Sequence, residues 1–225
     1  YFQHTDCFAF ASEIKALLKL KHVDKSLSNE NLGSYLAFGT TANPYQNLFQ
    51  NILDIEPGCN YTYNLTTQNI VKENYFSVED QLPENRESAH ANNQKFEELF
   101  NQSMGLHLRS DVEVGSCLSG GLDSSAIVYS ASQQLGSKTL KTFTAAFHNK
   151  TVDESEYAQL VANSLTNVKD IYTYPEAKTL VADMDKMMYH QDLPIGSTSI
   201  FAQWEVMKCV NQNQVKVLLD GQGAD

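Results

Sequence analysis

Two short glycine-rich stretches hold the residues best suited to chemistry. The first, Ser119 to Ser125, reads SGGLDSS and lies between an apolar, β-branched run and a helical pattern. Gly120 and Gly121 let the backbone take positive φ and approach a ligand with no Cβ in the way. The hydroxyls of Ser119, Ser124 and Ser125 stand around them. Because Ala126 to Ala131 continue as a helix, the loop ends at a helix N-terminus, where free N–H groups and the dipole favour an anion. That is the chemistry of a phosphate cradle. There is no Gly-Lys-Ser/Thr ending, so the phosphate lysine of the Walker loop is missing. Asp123 instead puts a carboxylate among phosphates, which repels unless a cation intervenes. Mg²⁺, held by one or two carboxylates plus phosphate oxygens, is the natural bridge. The plain alternative is a strand-to-helix turn with Asp123 as a helix-start charge.

The second stretch, Asp220 to Asp225, reads DGQGAD and repeats the pattern: Gly221 and Gly223, then a carboxylate. Side by side, the two loops would let Asp123 and Asp225 share one Mg²⁺ on a triphosphate tail. Alone, a glycine-rich strand end is often only a turn. Ala145 and Ala146 in TFTAAF leave room for an adenine ring, or else for a helix packed closely on a strand. Arg109 could reach a phosphate or a substrate carboxylate bidentately, or be a solvated helix-end arginine. Asp192 and Ser197 to Ser199, following His190, could form a substrate-facing loop or a mere connection. The six histidines show no metal-ligand spacing.

Strands and helices must hold these loops. Val112 to Leu118 reads as the strand delivering SGGLDSS, with a helix after it that Gly136 closes near Leu135. Strands at Leu140–Phe147, Val168–Tyr174 and Val215–Leu219 alternate with helices at Glu154–Leu165, Glu176–Tyr189 and Ser199–Gln212. Such alternation predicts an α/β fold with a parallel, doubly wound sheet covered on both faces. Ligands then bind beyond the carboxyl ends of the strands, where the strand order reverses. Upstream, CFAFA (7–11) reads as a strand and Ser12 as the cap of a helix through Leu20, with Ile14, Leu17 and Leu18 on one face. Ser28 opens a helix over 29–38 with Leu32, Tyr35 and Leu36 as core. Residues 40–58 are loop-rich, and 61–76 form a hairpin. Ser88 to Leu108 is the longest helical pattern. The polar stretch around Pro83 divides the chain into 1–78, a linker at 79–87, and 88–225.

The composition is that of an ordinary globular protein, 42% hydrophobic and 19% charged over 225 residues. No apolar run approaches the ~18 residues of a membrane span. With a net charge of −11 and no basic cluster, neither nucleic acid nor an anionic membrane is expected as a partner. Cys7, Cys59, Cys117 and Cys209 form no CxxC pair, so a reducing, cytoplasmic setting is expected.

SGGLDSS after a strand resembles the pyrophosphatase-type ATP loop. VEVGSCLSGGLDSS, DESEYAQLVA and VKVLLDGQGAD together resemble the synthetase domain of glutamine-hydrolysing asparagine synthetases. FASEIKALL, and IEPG followed by a hairpin, are similar to the tail of that family's glutaminase domain, so the resemblance runs over nearly the whole chain. It implies an adenine nucleotide alpha hydrolase-like fold preceded by a partial α+β glutaminase domain. It also implies a reaction in which ATP adenylates aspartate, pyrophosphate leaves, and ammonia from glutamine converts β-aspartyl-AMP to asparagine and AMP. By position, Ser119 to Ser125 would hold pyrophosphate, Asp123 and Asp225 the Mg²⁺, and the backbone around Cys117, Leu118, Ala145, Asp220 and Gly221 the AMP moiety. Gln222 and Arg109 would stand near the reacting groups. A homodimer is among the assemblies this leaves open.

Two departures bear on the resemblance. The family's N-terminal cysteine nucleophile and glutamine-binding residues belong far upstream of FASEIKALL, and Cys7, inside an apolar strand pattern, is no substitute. The chain is therefore expected to be a fragment, inactive alone as an amidotransferase. Gln222 stands where glutamate is usual, and a neutral amide cannot serve as a base. That leaves open another carboxylate as substrate, or a paralogue that binds nucleotide without turnover.

Overall fold

A computed structural model describes residues 1–5, 7–42, 45–82 and 88–223. The chain divides into two compact units, Tyr1–Arg86 with Met188–Gly196, and Glu87–Met187 with Ser197–Asp225.

The first unit is built of small pieces. Strands β1 (Phe2–His4) and β2 (Cys7–Ala9) pair antiparallel, as do β3 (Cys59–Tyr63) and β4 (Ile70–Asn74). The second pair is the expected hairpin. Helix α1 covers only Ile14–Leu17, with Glu13 rather than Ser12 at its N-cap and no side-chain cap bond. The helix expected through Leu20 is thus one turn. Its apolar face is nonetheless spent as expected: Leu17 is buried with Phe2, Val23 and Ile52, and Ile14 and Leu18 pack against them. Helix α2 (Asn29–Phe38) starts where expected, with the Ser28 hydroxyl accepting from the Asn31 N–H at 3.3 Å, and Gly39 ends it at φ 74°. Leu36, expected in the core, is 76% exposed. The unit's interior side of α2 is instead Asn31, whose amide donates to Asn47 O at 2.9 Å. Lys15 pairs with Glu13 and with Asp192, each at 3.0 Å, and the Tyr35 hydroxyl donates to Ile195 O.

The second unit is the α/β body. Helix α3 (Ala89–His107) is capped by Ser88, whose hydroxyl accepts from the Ala91 N–H. Then follow β5 (Val114–Cys117), α4 (Leu122–Leu135), β6 (Leu140–Ala145), α5 (Ser155–Asn163), β7 (Val168–Thr173), α6 (Ala177–Gln191), α7 (Ser199–Gln212) and β8 (Val217–Leu219). The four strands form one parallel sheet in the order β7-β6-β5-β8. Alternation along β6 serves two faces, as a strand period of two requires. Leu140 is buried with Met104 of α3, Val128 and Ala131 of α4, and Ala158 and Ala162 of α5. Phe143 is buried on the other face with Val206 and Val210 of α7 and Val215. The sheet is therefore covered on both faces. The chain steps from β5 to β6 to β7 in one direction and returns to place β8 on the far side of β5. The reversal falls between β5 and β8, whose carboxyl ends carry the two glycine loops.

Candidate functional site

At that reversal the second unit has a cleft of about 350 Å³, within the range of small-molecule sites. β5 contributes Cys117 and Leu118 at its end, the first loop contributes Ser119, Gly121, Asp123 and Ser124, and the second contributes Asp220 to Gly223. The loops meet directly: a Cβ on Gly221 would lie 3.2 Å from Asp123 Cβ and 3.2 Å from Ser124 N. A Cβ there would be tight but not excluded, so glycine eases the close approach of the two loops.

The first loop is tightly determined. Gly120 has φ 87°, and a Cβ on it would come within 2.6 Å of Tyr157 Cβ and 2.7 Å of Ala158 N in α5. Ser119 N–H donates to the Ser124 hydroxyl at 3.2 Å, and Gly121 N–H to the Ser119 hydroxyl at 3.2 Å. The Ser124 and Ser125 hydroxyls donate to Gly121 O at 3.2 and 2.7 Å. The hydroxyls thus brace the loop. Gly121 is the N-cap of α4 and supplies no side-chain cap, so the first-turn N–H groups keep the anion-favouring character of a helix start. Asp123 lies in that turn, exposed, lining the cleft and in no ion pair among the described residues.

In the second loop the Asp220 carboxylate is the organising group. It accepts from the Gln203 side chain at 3.2 Å and from the Gln222 N–H at 3.3 Å. Burial, and then the Asp220 carboxylate, push the Cys117 thiol up to about 12. It is therefore a neutral group at the cleft wall rather than a nucleophile.

The other expected residues separate clearly. Ala145 lines the cleft, whereas Ala146 is buried and its N–H donates to Thr173 O at 2.8 Å. Gly120 and Ser125 support the loop without lining the cleft. Asp225, the expected second metal carboxylate, lies outside the described residues, as does Ala224. Arg109 is not brought to the cleft: it is exposed just after α3, ahead of β5, and so at the amino end of the parallel strands. Of the 192–199 segment, Ser199 lines the cleft and Asp192 does not.

Several lining residues carried no signal beforehand. Phe147, Val152 and Glu154 come from the β6–α5 connection, and Ala202 and Gln203 from the first turns of α7. Gln203 falls one helical turn after Ser199, the only spacing that could have pointed to it.

A family model described as asparagine synthase matches residues 95–225, and one described as a glutamine amidotransferase domain matches residues 1–76. The chain belongs to the asparagine synthase family. It is 29% identical over 230 residues to a putative glutamine-hydrolyzing asparagine synthetase 2 of Methanocaldococcus jannaschii, covering all of this chain and 43% of that relative. It is 30% identical over 223 residues to the glutamine-hydrolyzing asparagine synthetase 1 of Bacillus subtilis, covering 96% of this chain and 33% of that relative. The chain therefore spans less than half the length of either. A more distant similarity, 22% over 241 residues, is to Amidase chry2 of Gibberella zeae. Among the described residues no helix is long and apolar enough to cross a membrane.

Proposed function

We propose that the protein containing this chain is a ligase that makes asparagine from aspartate with ATP and glutamine-derived ammonia. The observation that carries this is the meeting of two glycine loops at the sheet's reversal point, with Asp123 on the cleft between them. Residues 1–78 are read as the end of the glutaminase domain, 79–87 as a linker and 88–225 as part of the synthetase domain.

In this reading the α4 N-terminus and the SGGLDSS backbone receive the β- and γ-phosphates. A substrate carboxylate oxygen attacks the α-phosphorus, the bond to the β-phosphate oxygen breaks, and pyrophosphate leaves with its charge held by the loop. Donors already fixed in place are worth most where charge develops. Ammonia then attacks the acyl carbon of β-aspartyl-AMP, a proton is lost, and AMP departs. The backbone at Cys117, Leu118, Ala145, Asp220 and Gly221 frames the nucleoside. Asp123, exposed on the cleft and in no ion pair among the described residues, has the right donor chemistry for Mg²⁺, with Asp225 as its second carboxylate. When bound, the ion neutralises phosphate charge. Gln222 has no basic atom, so the proton released by ammonia goes to another acceptor.

The test is ATP–pyrophosphate exchange by the full-length protein. Exchange that requires aspartate and Mg²⁺ is expected; ATP binding with no exchange under any acid would instead mean a non-catalytic nucleotide binder. Gln222 favours one second reading: the same adenylation on another carboxylate. Exchange supported by a different acid and not by aspartate would select it.

A further inference from the structure

The stretch DESEYAQLVA has a resemblance but, so far, no role in the site. Asp153 opens it. Its side chain is only 4% exposed, and a charge so placed persists only when well satisfied. One carboxylate oxygen accepts from Phe147 N–H at 3.1 Å and Ser155 N–H at 3.3 Å. The other accepts from the Ser155 hydroxyl at 3.0 Å and the Lys150 ammonium at 3.1 Å. The Phe147 N–H and the Ser155 hydroxyl are foremost in holding the carboxyl well below the usual carboxylate range.

These bonds close the β6–α5 connection into a ring, with two results. Phe147, Val152 and Glu154, which line the cleft, are all members of that ring. Through Ser155 the same carboxylate also fixes where α5 begins. Two and three residues on, atoms of Tyr157 and Ala158 leave no room for a Cβ at Gly120. The rim of the cleft and the backing of the phosphate loop thus depend on one side chain. Asp153 itself does not line the cleft.

We propose that Asp153 is a positioning residue for the nucleotide cleft, setting both the Phe147–Glu154 rim and the α5 turn against which Gly120 rests. The nucleotide part of this rests on the ATP reading above. Lys150 contributes little, being 85% exposed.

The test uses the full-length protein with Asp153→Ala, Asp153→Asn and Lys150→Ala. ATP affinity is read by displacement of trinitrophenyl-ATP, alongside amide hydrogen exchange of peptides covering 119–122 and 147–155 and the thermal midpoint. Asp153→Ala should weaken ATP by about tenfold or more and speed exchange in both peptides, since small misplacements of binding groups are costly. Asp153→Asn, which keeps one acceptor oxygen, should fall between it and wild type, and carries the test if the alanine variant does not fold. Lys150→Ala should stay within about twofold, as exposed ion pairs do. A lowered thermal midpoint with unchanged ATP affinity would overturn the inference, because a purely structural role predicts that result. If wild type does not bind ATP, the ATP reading fails and hydrogen exchange alone decides. Unchanged exchange at 119–122 in Asp153→Asn then overturns the positioning role, and faster exchange sustains it.

Discussion

The two glycine loops resemble each other in sequence and differ in how they are held. SGGLDSS is wedged: α5 occupies the space beside Gly120, and three serine hydroxyls bond within the loop. DGQGAD, as far as it is described, hangs from one carboxylate, Asp220, bonded to Gln203 and to the Gln222 N–H. The first loop is preorganised for a highly charged group, which rewards fixed donors. The second, over Asp220 to Gly223, is held by fewer side-chain bonds, which suits a part of the ligand that is recognised rather than transferred.

Substitutions in each loop can break this contrast. The largest effect is expected at Asp123→Asn, which should lower ATP–pyrophosphate exchange in the full-length protein by about 100-fold, the scale of losing one key electrostatic group. Exchange within about threefold of wild type would remove the metal role from Asp123.

The glycines make a matched pair. Gly120→Ala places a Cβ within 2.6 Å of Tyr157 Cβ at φ 87°, and should destabilise by about 2–3 kcal/mol. Gly221→Ala meets its neighbours at 3.2 Å with no positive φ, and should cost about 1 kcal/mol or less. Urea unfolding of the two variants checks the order; equal losses would show that the loops are equally constrained.

Gln203→Ala removes an exposed hydrogen bond from an amide to the Asp220 carboxylate and should raise the KM for ATP by about threefold with kcat nearly unchanged. A fall in kcat alone would place the second loop among the preorganised parts.

The last effect appears only above pH 9 and concerns Cys117, which touches both loops. Its folded value of about 12 lies above the ordinary 9.0. Between those values the folded chain keeps a proton that the unfolded chain has lost. The contribution is therefore full below about pH 9 and disappears as pH rises toward 12. Urea midpoints of wild type should fall more steeply above pH 9 than those of Cys117→Ala. Parallel curves would mean that the thiol titrates normally.

The sheet was legible in the sequence because both of its faces are buried, and such strands read as apolar runs between glycine and polar punctuation. The strand ends and the switch point followed, and so did the meeting of the two glycine loops. The first unit was harder to read. Ser12 and the apolar periodicity to Leu20 signalled a helix, yet α1 is a single turn, because a four-residue helix draws its stability from packing and not from its cap. Leu36 carried helical spacing but sits on the solvent side of α2, since periodicity gives a face and not what covers it. Arg109 was chemically plausible and topologically misplaced: residues before a parallel strand stand at the end opposite its ligand. Gln203 went unmarked because its partner, Asp220, is brought to it only by folding.

The pairing of β5 with β8 has a consequence in time. Ser116 donates to Leu219 O across a sequence separation of 103 residues. At about 5–20 residues per second of synthesis, roughly 5–20 s pass after the first loop is made before its neighbour exists. During that interval β5 is an edge strand, with an open row of backbone groups on the side β8 will cover. The cradle is thus shaped early by α5 and its serines, while the cleft becomes a cleft only when β8 docks. Conditions that slow or misdirect that docking would leave a folded loop with nothing opposite it.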